Sequence, residues 1–172
     1  MRIAKFQVWL TCAAMLWATG VQAQKPKGST SPGILHRAAP EFARADLAGR
    51  SIDLKSYRGK VVLLNFWATW CAPCQIELPK FDAWQEKYGA QGLQVLAVSM
   101  DDGDAPVRRT VRRLHLDFPV VMGDAKLGDE YGGVLGLPVT FLIDREGRVI
   151  AKLKGETDLT ALESRVKQLL AK

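Results

Sequence analysis

The sequence predicts an α/β domain in which a mixed β-sheet is flanked by helices on both faces and preceded by an N-terminal β-hairpin. Segment 61–67, VVLLNFW, is an almost continuous apolar run, which is typical of a central strand buried on both faces. Strands alternate with helices through the middle of the chain, and a hairpin and a helix close it. With 172 residues, 48% hydrophobic and 24% charged, the chain is long enough for one domain with one core.

The first 23 residues have the pattern of a signal peptide. A short basic head precedes an apolar run at 6–17 and small or polar residues that end at Ala23, after which we predict cleavage. An uncleaved membrane anchor is the alternative, but this run is well short of the roughly 20 residues that a spanning helix needs. Cys12 lies near the start of the run, where a lipid-acceptor cysteine would end it. We therefore expect a periplasmic protein that loses Cys12 on export.

A tether and a hairpin should follow the leader. Residues 24–39 are rich in Pro, Gly, Ser and Lys and poor in apolar residues, which predicts a mobile tether. The folded domain is then expected to span 40–172. Its first part, 40–59, offers two short extended stretches around an Ala48-Gly49 turn and a brief helical turn, which predicts the leading hairpin.

The remaining elements are predicted from apolar spacing and turn residues. A helix should begin at Cys71, kink at Pro79 and end at Gly89. Its buried face is predicted to consist of Ile76, Phe81, Trp84 and Tyr88. The later elements are a strand at 93–100, a helix capped by Asp104, a strand near 118–122, a short helix at 125–131, a hairpin of strands at 139–144 and 148–153, and a terminal helix at about 158–170.

The charge pattern does not indicate a nucleic-acid partner. The formal net charge is +6 and falls to +4 without the leader, which is mild and evenly spread. Four arginines, at 108, 109, 112 and 113, form a basic stripe that we interpret as a solvated helix face, with an acidic partner or anionic lipid as alternatives. Asp101, Asp102 and Asp104 lack the spacing of a calcium loop and are interpreted as a turn and a helix cap.

The exported chain would keep one pair of cysteines, Cys71 and Cys74, in a compartment where disulfides persist. A helix that begins at Cys71 favours a thiolate there, because free N–H groups and the helix dipole stabilise negative charge. We predict that Cys71 is the nucleophile and Cys74 the resolving cysteine. A structural staple is the alternative, but so small a ring constrains the unfolded chain weakly. The chain offers too few further ligands for zinc, and Gln75 follows Cys74 where haem attachment needs His.

Two longer motifs surround the cysteines. They are LNFWATWCAPC, which is followed by Glu77 and Pro79, and GLPVTFLID at 136–144. From about Pro40 to the end, the chain resembles thioredoxin-superfamily oxidoreductases of the TlpA, ResA and CcmG kind. The resemblance implies a thioredoxin-like fold, a redox-active dithiol without a further cofactor, and electrons passed from a membrane thiol donor to exported, disulfide-bearing proteins.

The resemblance also implies roles for residues around the dithiol. Pro138 matches the family's cis-proline, which would lie against the dithiol and let the Leu137 backbone pair with a substrate strand. Trp70 would flank the sulfur as a docking surface, whereas Trp67 is expected in the core. Pro73 should fix the helix start and tune the redox potential.

Two further positions concern the proton of the resolving cysteine. Asn65 stands where cytoplasmic thioredoxins carry a buried, titratable Asp, and an amide cannot titrate. Glu77, three residues after Cys74 on the same helix, could replace it as proton acceptor. A carboxylate that merely favours the first helical turn is an equal alternative.

The sequence thus predicts an exported thiol:disulfide oxidoreductase, a monomer that reduces partner proteins such as apocytochromes or a copper-site protein of an oxidase. A disulfide-forming oxidase is the nearest alternative, since an exported dithiol can equally be kept oxidised. A thiol peroxidase is disfavoured because the Pro and Thr expected before a peroxidatic cysteine do not match. A non-enzymatic partner-binding or metallochaperone module is the remaining alternative.

Overall fold

A computed structural model describes residues 33–172, so the predicted leader, Cys12 and most of the predicted tether lie outside the described residues. The strands are β1 (Ala43–Ala45), β2 (Ser51–Asp53), β3 (Val61–Trp67), β4 (Leu93–Ser99), β5 (Val120–Met122), β6 (Val139–Ile143) and β7 (Val149–Lys154). The α-helices are α1 (Ala72–Tyr88), α2 (Asp104–Leu114), α3 (Ala125–Glu130) and α4 (Leu159–Leu170), and short 3-10 helices occupy Leu54–Tyr57 and Gly89–Gln91.

The central sheet has the strand order β5-β4-β3-β6-β7, and β3 lies at its centre. Strands β3, β4 and β5 are parallel to one another, whereas β6 and β7 run antiparallel. All seven residues of β3 are buried, as its apolar sequence predicted. The two-stranded hairpin β1-β2 precedes this sheet, which confirms the predicted mixed α/β fold with an N-terminal hairpin.

Side chains that alternate along the strands form an apolar layer on each face of the sheet. Helices α1, α2 and α4 pack on one face, against β3 residues such as Leu63 and Trp67. The hairpin and α3 cover the opposite face, where Phe66, Tyr131 and Phe141 form a cluster with ring centroids 5.0–5.7 Å apart. Such aromatic clusters add packing energy to simple burial. Helices therefore lie on both faces of the sheet, as predicted.

Two helix predictions need correction. The buried face of α1 uses Leu78 and not Ile76, because Ile76 points to solvent while Leu78 is fully buried. The N-cap of α2 is Gly103, and Asp104 is the first residue of the helix, where its carboxylate pairs with Arg108 instead of capping an N–H. Helix α1 continues through Pro79 to Tyr88 without interruption.

Packing against the domain begins before the predicted start at Pro40. The amide N–H of His36 donates to the carbonyl of Val149, and that of Ala39 to the carbonyl of Gly147. Ala39 is buried in the apolar layer beneath the hairpin. Backbone pairing with the β7 end of the sheet therefore includes part of the segment predicted as tether, which composition alone could not indicate.

Candidate active site

The cysteine pair lies where β3 passes into α1. The N–H of Cys71 donates to the carbonyl of Ala68 at 3.1 Å, which closes a tight turn through residues 69 and 70. Cys71 is the N-cap of α1, and its Sγ accepts the N–H of Cys74 at 3.3 Å. Pro73, half-buried in the first turn, needs no hydrogen-bond donor there. Helix α1 thus begins around the sulfur of Cys71, as predicted.

Cys71 and Cys74 form a disulfide, with their Cα atoms 5.3 Å apart. The two cysteines differ in access to solvent, since Cys71 is 4% exposed and Cys74 is fully buried. An incoming sulfur must approach along the line of the bond that it breaks or forms, so only Cys71 offers such an approach. The two sulfurs are therefore distinguished by their access to solvent.

Sheet register brings the loop before β6 to the same edge as the cysteines. Because β6 runs antiparallel to β3, with Phe66 opposite Val139, the residue before Val139 lies beside the C-terminal end of β3. That residue is Pro138, and the Leu137-Pro138 bond is cis, as the resemblance implied. Among residues 33–172, no backbone hydrogen bond engages the N–H or C=O of Leu137, so both groups are available to an extended partner segment.

Three large apolar side chains near this edge are exposed. Trp70, immediately before Cys71, is 71% exposed, Ile76 is 66% exposed, and Leu135 in the loop before Pro138 is 92% exposed. Single exposed apolar residues are ordinary, but three near the edge that carries Cys71 indicate a contact surface. Trp70 was predicted here, whereas Leu135 was missed because only the sheet register brings its loop to the cysteines.

A hydrogen-bond network around Thr69 was also missed. Both oxygens of Asp101 are used: Thr69 N–H donates to Oδ2 at 2.9 Å, and Thr69 Oγ1 donates to Oδ1 at 2.6 Å. Ser99 Oγ donates to the same carboxylate at 2.8 Å. The Gln75 amide donates to the Thr69 carbonyl at 2.6 Å. Asp101 is thus more than the loop residue that was predicted, since it holds the turn that carries Trp70 and Cys71.

Glu77 is buried one helical turn beyond Cys74. Its Oε1 accepts the N–H of Thr157 at 2.8 Å, whereas Oε2 is buried without a hydrogen-bond partner. Burial raises the pKa of this carboxyl, the Thr157 hydrogen bonds oppose the shift, and the nearby Glu156 carboxylate adds to it. A buried carboxyl with a raised pKa and a free oxygen can accept and return a proton.

Asn65 lies on the face of β3 that packs against α1, as does Trp67. Its amide donates to Thr140 Oγ1 at 2.9 Å, while its Oδ1 is buried and unpartnered. The indole N–H of Trp67, a core residue as predicted, is likewise buried without a partner. Neither side chain ionises near neutral pH, so Glu77 is the titratable group buried closest to Cys74 along α1.

The fold and the site together define a thioredoxin-fold protein with a redox-active cysteine pair at the start of its first helix. The AhpC/TSA family model matches residues 35–152, and the chain belongs to this family.

Curated relatives of the chain are thiol-disulfide oxidoreductases. The chain is 40% identical over 131 residues to the thiol-disulfide oxidoreductase ResA of Bacillus thuringiensis subsp. konkukian, an alignment that covers 76% of each chain. It is 37% identical to ResA of Bacillus subtilis over 118 residues, which is 68% of this chain and 65% of that one. These relatives and the cysteine pair make the protein a thiol:disulfide oxidoreductase.

Solved structures agree with this assignment. A thiol:disulfide interchange protein of the thioredoxin family from Chlorobium tepidum superimposes with a TM-score of 0.72 at 27% identity, covering 77% of this chain and 95% of that one. A secreted thiol-disulfide isomerase from Corynebacterium glutamicum has a TM-score of 0.71 at 25% identity, with 78% and 86% covered. Between residues 33 and 172, no helix is long and apolar enough to span a bilayer.

Proposed function

We propose that the protein is exported by a cleaved signal peptide and reduces disulfides of partner proteins outside the cytoplasm. The observation that carries the proposal is the unequal access of the two sulfurs beside a cis-proline loop whose backbone is unpaired. Cys71 reaches solvent, Cys74 does not, and Leu137 offers free backbone groups near them. A dithiol that acts on polypeptides needs these three features together.

The reaction would proceed in two exchanges. The Cys71 thiolate attacks one sulfur of the partner disulfide, which forms a mixed disulfide and releases the partner's other sulfur as a thiolate. Cys74 then loses its proton and attacks Cys71 Sγ, which forms the Cys71–Cys74 disulfide and releases the second partner sulfur. Two electrons pass to the partner, whose thiolates take up two protons. A membrane thiol donor would restore the dithiol.

Glu77 would handle the proton of Cys74. Its unpartnered Oε2 is buried one turn along the same helix face, and its raised pKa brings its affinity for a proton closer to that of a thiol. Asn65 supports this assignment, since it occupies the core beneath the site without a titratable group. Glu77 would therefore do what a buried Asp does in cytoplasmic thioredoxins.

Substrate contact would use Trp70, Leu137 and Pro138, with Pro73 shaping the helix start between the cysteines. These residues line one edge of the sheet around Cys71. The partners would be extended, disulfide-bearing segments such as an apocytochrome cysteine pair or a copper-site protein of an oxidase. The protein would work as a monomer.

The direction of electron flow is tested by the reduction potential of the purified mature protein against glutathione, followed by tryptophan fluorescence. A reductase should lie below about −220 mV, whereas a value near −120 mV would indicate a disulfide-forming oxidase. Cys74→Ser should accumulate a mixed disulfide with a disulfide-bearing peptide, and Cys71→Ser should not. Cysteine-dependent consumption of peroxide at a rate above that of peptide reduction would favour a thiol peroxidase instead.

A further inference from the structure

The exposed face of α2 carries four arginines, and their charges are not equally compensated. Arg108 pairs with Asp104 at 2.8 Å and also donates to the carbonyl of Leu47. Arg113 donates to the neutral amide oxygen of Gln75 at 2.5 Å, so this contact brings no opposite charge to its guanidinium. Arg109 and Arg112 are exposed, and their guanidinium groups make no hydrogen bond or ion pair with the described part of the chain. Three of the four guanidinium groups therefore lack a carboxylate partner there.

Helices α1 and α2 run side by side in the same direction. Each follows one of the parallel strands β3 and β4, and both pack on the same face of the sheet. Two contacts join them: the Arg113 guanidinium donates to Gln75 Oε1, and beyond the end of α2 the N–H of Asp117 donates to Asp82 Oδ1 on α1 at 2.8 Å. The contact to Gln75, in the first turn of α1, therefore involves the last turn of α2.

Arg109 lies nearer the active-site edge than Arg113. Arg109 precedes Arg113 by four residues, so it lies on the same face of α2, about 6 Å nearer the active-site edge. Cys71 precedes Gln75 by the same four residues on α1. Gln75 also donates to the carbonyl of Thr69 in the turn before Cys71, so the Arg113 contact adjoins this turn, and Arg109 lies one helical turn nearer the active-site edge. Neighbouring helix axes are about 8–10 Å apart, a gap that an arginine side chain can largely span.

The contact surface described above lies on the same side. Trp70 is next to Cys71 in the chain, and Ile76 follows Gln75 on α1. A polypeptide seated on Cys71 would thus meet exposed apolar side chains with the unpaired guanidinium groups at their margin. Arginine is well suited to such a margin because its planar fork binds carboxylates in two hydrogen bonds.

The small net charge around α2 favours recognition of a partner carboxylate at short range over long-range electrostatic attraction. Segment 101–114 carries three aspartates and four arginines, for a net charge of +1. Asp101 and Asp104 are engaged with Thr69 and Arg108 respectively. A carboxylate of the partner would therefore be recognised only where it comes close to Arg109.

We propose that Arg109, supported by Arg112 and Arg113, selects partners whose disulfide-bearing segment carries a carboxylate beside the attacked cysteine. The occupant of this surface is an acidic polypeptide segment and not a membrane. The proposal rests on the disulfide exchange proposed above and adds the charge of the substrate. The sequence favours a solvated helix face for this stripe, whereas the proposal assigns it a contact with the substrate.

The test uses three peptides, each with one internal disulfide and identical except that the residues flanking one cysteine are Glu, Gln or Lys. Reduced full-length mature protein is mixed with each peptide, and its oxidation is followed by tryptophan fluorescence. We expect the wild type to react about fivefold faster with the Glu peptide than with the Lys peptide, which is the size of a close, partly exposed ion pair. In Arg109→Glu this ratio should fall below one.

The ratio between peptides is the readout because a change in the thiolate fraction of Cys71 would alter all three rates equally. The matched control is Arg165→Glu, an exposed arginine on α4, which should keep the wild-type ratio. If Arg109→Glu keeps the ratio, or the wild type shows none, Arg109 does not select the partner. If no peptide oxidises the wild type, the proposed function itself is wrong.

A membrane partner is tested separately with vesicles of anionic and of zwitterionic phospholipid. We expect no binding to either. Binding to the anionic vesicles that is lost in Arg109→Glu would overturn the proposal in favour of a lipid contact.

Discussion

Replacing Asp101 by Ala should loosen the active-site turn. In the native structure the Asp101 carboxylate accepts hydrogen bonds from Thr69 N–H, Thr69 Oγ1 and Ser99 Oγ, at 2.6–2.9 Å. Alanine removes all of these acceptors without adding volume. The N–H of Thr69 and both hydroxyl groups then depend on water or on one another.

The size of the effect follows from the charge of the acceptor. Hydrogen bonds to charged groups contribute about 1.5–3 kcal/mol each, but Asp101 is only half-buried, so water recovers part of the loss. We expect the free energy of unfolding to fall by about 2–4 kcal/mol. With a urea m-value of about 2 kcal/mol/M, the unfolding midpoint should drop by about 1–2 M.

Asp102 supplies a matched control, because it is the adjacent residue, equally acidic, exposed and without a hydrogen bond among residues 33–172. Urea unfolding of the oxidised protein is compared for Asp101→Ala and Asp102→Ala. Asp102→Ala should change the midpoint by less than about 0.3 M, as is usual for a free surface position. Equal midpoints for the two variants would refute the argument that the carboxylate of Asp101 holds the turn. A second check is Thr69→Ser, which keeps both donors and should remain close to the wild type.

The remaining predictions concern three other positions. Burial raises the pKa of Glu77, so its contribution to stability is fully present below the unfolded pKa and is lost as pH rises through the folded pKa. Each pKa unit between the folded and unfolded states contributes about 1.4 kcal/mol. Glu77→Gln should abolish this pH dependence in urea titrations at pH 4 to 8. Lys152 donates to the carbonyls of residues 131, 132 and 133 at 2.9–3.4 Å, so Lys152→Met should lower the free energy of unfolding by about 1–2 kcal/mol. Lys154 is exposed, and Lys154→Met should change this free energy very little. A Cβ on Gly123 would lie 2.7 Å from Val98 Cγ1, so Gly123→Ala should lower the thermal midpoint through overpacking of about 1–3 kcal/mol, and an unchanged midpoint would show that the neighbours relax freely.

Local patterns were sufficient for the elements that lie wholly inside one stretch of chain. The strand β3 was predictable because six of its seven consecutive residues are apolar or aromatic, a pattern typical of a strand buried on both faces. The helix start at Cys71 and the two cysteines one turn apart follow from spacing alone, since i and i+3 share a helix face. Ile76 was assigned to the wrong face because an apolar side chain in an apolar pattern carries no sign that it serves a surface contact.

By itself, the sequence determined the α/β class, the position of the dithiol and, through resemblance, the kind of chemistry it performs. Only the tertiary structure decided that Cys71 is accessible and Cys74 is buried, that Asp101 holds the turn before Cys71, and that Arg113 of α2 contacts Gln75 in the first turn of α1. The physical reason is that burial depends on the whole fold, and that the last two relations join residues separated by about 30 to 40 positions, which contact through strand pairing and helix packing. Sequence spacing reports a side chain's direction within its own element, whereas register between elements is set by the packing of the whole core.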